Sequence, residues 1–347
     1  MKAAYLTALR TVEIRQTHEP ELRGHGDVLI RVATVGVCGS DMHYYRTGRI
    51  GDQVVQYPWI VGHECAGTIE AVGPGAGKLN VGDRVAIDPL IVCGRCDQCL
   101  AGRAHTCRNQ AFLGCPGQVA GSLAERIVMP AACCYPVPPT MTMTQATLIE
   151  PFAIGFYAAR RLAGDVDGLT AAVLGSGPIG LCVMLALKQG GAGSVTMTDI
   201  RDYRLDMART MGADWTGNPN AENVADRILQ AEPLGVDLAF ECAGEQDTLD
   251  QCVEVLKPGG TLLVVGIPER DRISFLMDRI RRKELRILNV RRQNDCVAAA
   301  IELVAAGAVD LDPMVTHNYT LDQTNEAFDV VADYRDNAVK AMIHLEG

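Results

Sequence analysis

The rhythm of hydrophobic positions along the chain changes near residue 150. Before it, apolar residues come in short strand-like runs, Val28 to Val37, Ala66 to Val72, Val81 to Ile87 and Ser122 to Met129. Gly- and Pro-rich turns such as Gly73-Pro74-Gly75-Ala76-Gly77 separate them. Short runs with close turn signals predict a small β-barrel or sandwich rather than a parallel sheet. From Thr170 onward, strand-like runs (Ala171 to Leu174, Ser194 to Asp199, Val236 to Glu241, Thr261 to Gly266, Leu285 to Val290) alternate with segments of helical length and spacing, such as Leu181 to Lys188 and Thr248 to Leu256. That alternation predicts a doubly wound parallel sheet and an α/β fold class. After about residue 290 come one more helix, Cys296 to Ala306, and polar segments ending in Ala338 to Leu345. They are expected to return to the first domain, because the parallel sheet is by then nearly complete.

Composition narrows the function. The 347 residues suffice for two domains, and 48% hydrophobic with 21% charged residues describes an ordinary globular chain. A net charge of −10 argues against nucleic acid, since phosphate binding needs a basic stripe. The one basic run, Arg279-Ile280-Arg281-Arg282-Lys283, is followed at once by Glu284 and reads as a solvated helix end. No apolar run is long enough to span a bilayer, and the first residues lack the apolar core of a signal peptide. Thirteen cysteines in such a chain favour thiols and metal ligands over disulfides, so the expected compartment is cytoplasmic.

Three constellations carry chemistry. In Cys93-Gly94-Arg95-Cys96-Asp97-Gln98-Cys99 with Cys107, four thiols can close on one tetrahedral ion. A closed four-thiolate zinc is structural, because no position remains for substrate. An iron–sulfur run would have a shorter last gap and a proline after the final cysteine, where Arg108 stands. In Gly175-Ser176-Gly177-Pro178-Ile179-Gly180, the glycines lie between a strand and a helix, the context a dinucleotide-binding turn requires. Gly175 permits the tight turn, Gly177 a close approach of backbone to pyrophosphate, and Gly180 close packing of the helix. The next strand ends in Asp199, whose carboxylate suits a ribose hydroxyl and repels a 2′-phosphate, favouring NAD over NADP. Arg201 and Arg204 nearby soften that preference. The third set joins Cys38 to His63 and Glu64: thiol, imidazole and carboxylate, the ligand types of a catalytic zinc with one open position. Taken singly, a buried cysteine and a core histidine are the commoner reading. A dinucleotide cofactor gives the set a task, because a zinc ion lowers the pKa of an alcohol and so makes hydride loss feasible. Glu150 is a further candidate, or else a carboxylate capping a surface turn.

With these residues in place, the chain resembles the zinc-containing medium-chain dehydrogenases over nearly its whole length, with Gly62-His63-Glu64, Gly67 and Gly73 carrying the zinc signature. Within that family Cys38-Gly39-Ser40-Asp41-Met42-His43-Tyr44-Tyr45, Gly48-Arg49-Ile50-Gly51, Glu150-Pro151 and Arg291 look most like the polyol (sorbitol, xylitol) dehydrogenases. The resemblance implies a discontinuous GroES-like β-barrel catalytic domain, residues 1–152 and 291–347, around a Rossmann domain, residues 153–290. It implies NAD, bound by Gly175, Gly177, Pro178, Ile179, Gly180, Asp199 and Arg204, and two zinc ions per chain. Cys38, His63 and Glu64 would hold the catalytic ion, with Glu150 reaching it through water, and Cys93, Cys96, Cys99 and Cys107 the structural one. Asp41 would fix the His63 tautomer, Ser40 would take the substrate proton towards His43, and Tyr44, Phe112 and Arg291 would line the polyol site. The departures are the four retained structural cysteines, which animal sorbitol dehydrogenases lack, Arg292, where several sorbitol and xylitol enzymes carry a tyrosine, and the loop Gly114 to Val119; a second guanidinium favours a polar or anionic substrate. The expected activity is reversible oxidation of a polyol's secondary hydroxyl to a ketose, by a homotetramer or homodimer acting on a small polyhydroxy substrate. The competing readings are the same chemistry on a cyclitol, sugar acid or threonine, a catalytically silent dinucleotide-binding protein, and a cysteine redox sensor.

Overall fold

A computed structural model describes residues 1–24, 26–270 and 272–345. The chain forms two compact units, Met1–Glu150 with Val297–Gly347, and Pro151–Cys296. In the first, the 10-residue strand Asp27–Gly36 is the organiser. Its successive positions from Val32 to Gly36 are all buried, which is why its sequence is a near-continuous apolar run. Glu64–Val72 pairs with it antiparallel along one side; Arg126–Pro130 and Lys340–His344 share the other. Arg84–Ile87 and Cys134–Pro136 extend one edge, Val315–Thr320 the other, giving a seven-stranded sheet. Register shifts after Leu29 and Val32 mark bulges, the device by which such sheets bend.

Two sequence expectations need correction here. Ser122 to Met129 is not one strand: the strand is Arg126–Pro130, while Ser122 and Leu123 donate to the carbonyls of Gly62 and Val61. Those bonds tie the segment to the backbone just before His63. Glu150 caps no surface turn; it lies inside the helix Met143–Phe156, which runs on through Pro151.

The second unit is a six-stranded, wholly parallel sheet in the order Trp215–Gly217, Ser194–Thr198, Thr170–Leu174, Val236–Glu241, Leu256–Val264, Arg286–Asn289. This is the doubly wound order, with its reversal between Thr170–Leu174 and Val236–Glu241, where ligands of such sheets bind. The three-residue edge strand Trp215–Gly217 gives no periodicity in sequence. Among the described residues, no helix is long and apolar enough to cross a membrane.

Candidate functional site

Strand pairing assembles the first site. The pairing of Gly36 with Glu64 brings the end of one strand beside the start of the next. Cys38, two residues on, is the N-cap of the helix Gly39–Thr47, while His63 immediately precedes its strand. Ligand atoms of Cys38, His63 and Glu64 then all lie within 4.8 Å of one another. Asp41, in the helix's first turn, fixes the cluster: one carboxylate oxygen accepts from Cys38 N (3.3 Å), the other from Gly62 N (3.4 Å) and faces His63 Nδ1 at 3.4 Å. Such a partner on Nδ1 fixes the tautomer, so Nε2 is the nitrogen that would be offered to a metal. Ser40 Oγ donates to Cys38 Sγ (3.3 Å) and sits 3.4 Å from His63 Nε2.

The electrostatics suit a cation. Burial works against the His63 imidazolium, but the Asp41 carboxylate and Cys38 outweigh it and hold the pKa well above its ordinary value. Burial and Glu64 push the Cys38 thiol up. Glu64 is itself buried and bonded to the buried ammonium of Lys340, whose Nζ also donates to Val37 O at 3.0 Å. Sequence reasoning missed Lys340; the available signal was a lone lysine in the apolar run Ala338-Val339-Lys340-Ala341-Met342-Ile343.

Glu150 is 7% exposed, and its Oε2 is buried without a hydrogen-bond partner. Burial pushes its pKa up to about 8, with Glu64 adding to the rise and His63 opposing it. An orphaned carboxylate oxygen in the field of His63 and Glu64 fits a metal or its bound water, which would satisfy it. The sign of its pH effect follows. A carboxyl raised from an unfolded value near ~4.3 keeps a proton that the unfolded chain releases, so the fold loses stability as pH rises from about 4 to about 8. With chelator present, Glu150→Gln is expected to be more stable than the parent at pH 8 and to converge with it by pH 4. Thermal unfolding at both pH values checks this; a pH-independent difference refutes it.

The four-cysteine loop forms the second site. Sulfur–sulfur distances are 3.5 Å for Cys107–Cys93, 3.6 Å for Cys96–Cys99 and 3.8 Å for Cys96–Cys107. Zinc–sulfur bonds of about 2.3 Å in a tetrahedron require edges of about 3.8 Å, so the thiols are spaced for zinc and not for disulfides. Backbone N–H groups of Cys93 and Asn109 donate to Cys107 Sγ, both at 3.4 Å. The backbone N–H of Arg95, aided by Asn109, pulls Cys93 down to about 6, whereas desolvation and Cys96 push Cys99 up to about 12. Four crowded sulfurs ionise together only around a cation.

The glycine turn lies in the second unit. Gly175 has φ 107°, and a Cβ there would sit 2.9 Å from Ala243 N. A Cβ on Gly180 would stand 1.8 Å from Gly175 O, so no side chain fits. Pro178 and Ile179 open the helix Pro178–Gln189 behind the N-cap Gly177. Asp199 accepts from Ser176 N (2.9 Å) and Arg201 N (3.0 Å), and Arg204 Nη1 lies 3.6 Å from its carboxylate. Sequence reasoning also missed Glu241, whose Oε1 accepts from Ala243 N, Gly244 N and Thr248 Oγ at 2.7–2.8 Å and so holds the neighbouring loop.

Of the anticipated substrate residues, the Phe112 ring lies 5.3 Å from the His63 ring, tilted 52° to it, and buried Tyr44 lies one turn beyond Ser40. His43 is half-buried on the same helix. Arg291 and Arg292 belong to the other unit, just after the strand Arg286–Asn289, with Arg292 at φ 56°.

Comparison with known proteins bears on both units. Residues 24–139 match the alcohol dehydrogenase GroES-like domain and residues 178–306 the zinc-binding dehydrogenase family. A sorbitol dehydrogenase from Bacillus subtilis is 37% identical over 99% of this chain and 97% of its own length. A zinc-binding dehydrogenase of Sinorhizobium meliloti, solved with NADP, is 30% identical with a TM-score of 0.90, covering 99% of both chains. An alcohol dehydrogenase of Escherichia coli, solved with NADH, is 27% identical with a TM-score of 0.91, again covering 99% of both. The chain belongs to the zinc-containing alcohol dehydrogenase family and is an oxidoreductase with GroES-like and Rossmann-type domains.

Proposed function

We propose that this dehydrogenase oxidises a secondary hydroxyl of a polyol to a ketose, reversibly, with NAD as hydride acceptor. The observation that carries the reading is the Cys38–His63–Glu64 nest with the orphaned Glu150 oxygen beside it, in a chain that also holds a dinucleotide turn. Cys38, His63 and Glu64 would hold a catalytic zinc, and Cys93, Cys96, Cys99 and Cys107 a structural one. The catalytic ion, when bound, supplies Lewis acidity that lowers the pKa of the substrate hydroxyl. Ser40 would receive that proton, its hydroxyl being held between Cys38 and His63. Asp41 would keep His63 oriented. The sorbitol dehydrogenase relative supports the polyol class. Metal content and NAD reduction with polyols, cyclitols, sugar acids and threonine test the reading. Two zinc ions per chain and turnover of polyols are expected; turnover confined to an acidic or cyclic substrate would overturn the substrate class.

NAD over NADP rests on Asp199, a carboxylate pinned by two backbone N–H groups. Asp199→Ala is expected to lower kcat/KM for NAD by about 10- to 100-fold, the value of a hydrogen bond to a charged group. NADP should lose less, because a repelling charge has gone. Equal losses with both cofactors would show that Asp199 holds only the loop.

A further inference from the structure

Gln53 and Cys115 have no part in the proposed reaction, yet both meet the hydroxyl of Tyr44. The helix Gly39–Thr47 carries Ser40 beside Cys38 and His63, and Tyr44 lies on the same helix face one turn on, about 6 Å along the axis. The Tyr44 hydroxyl donates to Gln53 Oε1 at 3.2 Å and lies 3.9 Å from Cys115 Sγ. Cys115 closes a turn back onto Phe112, its N–H donating to Phe112 O at 3.2 Å, and the Phe112 ring faces the His63 ring. His63, Ser40, Tyr44, Cys115 and Phe112 thus form a continuous circuit inside one unit. Gln53, on the short hairpin Arg49–Ile50 with Gln53–Val54 that follows the helix, is half-buried and joins this circuit through Tyr44.

An apolar side chain at position 53 would suit a simple alcohol. A glutamine whose oxygen is occupied by a tyrosine hydroxyl has a fixed amide orientation, and its Nε2 donors remain for a ligand. One helical turn from the reacting end is the reach of a few carbon atoms, so the group met there is a further hydroxyl of the substrate. We infer that Gln53 is a specificity-determining residue: oriented by Tyr44, its amide recognises a second hydroxyl and selects polyhydroxy over monohydroxy secondary alcohols. This inference rests on the polyol reading.

The test is Gln53→Leu, which keeps the bulk and removes the donors. Initial rates with xylitol are compared with those for 2-butanol, used as a substrate or, if its turnover is slow, as a competitive inhibitor of xylitol oxidation. The expected result is a fall of about tenfold in selectivity for xylitol, the value of one hydrogen bond, seen mainly as a higher KM. Tyr44→Phe should shift selectivity the same way, and combining both substitutions should cost less than the sum, because one orients the other. Unchanged selectivity in Gln53→Leu, or strict additivity, would overturn the inference while leaving polyol oxidation intact. A parent enzyme that oxidises no polyol would instead overturn the proposed function, and the selectivity with it.

Discussion

Replacing His63 with alanine is expected to lower alcohol oxidation by a factor of about 10³ or more and to reduce the metal content from two ions per chain to one. The magnitude follows from the several kcal/mol of charge stabilisation that a Lewis-acidic zinc supplies, each 1.4 kcal/mol being a factor of ten. Cys38→Ser should behave alike, since the soft thiolate is lost while the helix N-cap keeps a side-chain acceptor. The rest of the chain provides the internal control. The four thiols spaced at 3.5–3.8 Å lie in a separate loop and should keep their ion. The glycine turn belongs to the other unit, so cofactor binding, followed by nucleotide fluorescence or calorimetry, should survive. Asp41→Asn keeps the shape but weakens the hold on His63; a loss of 10- to 100-fold is expected, typical of a residue that orients a ligand. A His63→Ala protein that retains two zinc ions and a tenth of its activity would refute the proposed ligand set.

What could be read from the sequence follows from how local each signal is. The parallel sheet was legible because each strand and helix announces itself by its own period, and the order Trp215–Gly217 to Arg286–Asn289 adds only an edge strand too short to show one. The glycine turn before the helix Pro178–Gln189 and the cysteine loop were legible as structure because each is contained in a few consecutive residues. Cys38 and Glu64 were harder, being joined by strand pairing, yet each stands next to a recognisable run. For Glu150 the sequence left a metal-site carboxylate and a turn cap both open, because the adjoining Pro151 is a turn signal; the helix Met143–Phe156 continues through it and removes the second. The polar helix Gly39–Thr47 has only weak apolar patterning, so the contact between Tyr44 and Gln53 left no trace in the pattern. The most distant partner was lost altogether: Lys340 meets Glu64 across 276 positions, from a strand whose neighbours are apolar.

That pair carries the second large effect. Lys340→Met is expected to destabilise the protein by about 3–5 kcal/mol, the usual cost of breaking a buried ion pair from one side. Methionine matches the lysine stem in bulk, so the loss is electrostatic. The lysine is 1% exposed, and although burial works against its ammonium, Glu64 outweighs burial and raises the pKa, so the charge is present in the fold. The pair packs against Gly36, where a Cβ would press on both Glu64 Oε2 and Lys340 Cε. Without the ammonium, the Glu64 carboxylate keeps a buried charge with no cation unless a metal supplies one. The melting temperature should therefore drop by roughly 10 °C in chelator, and by clearly less with zinc. Glu64→Gln combined with Lys340→Met should recover much of the loss, because the buried charge is then gone from both sides. A single variant that melts with the parent in chelator, or a double variant less stable than Lys340→Met alone, would show that the pair does not stabilise this strand crossing.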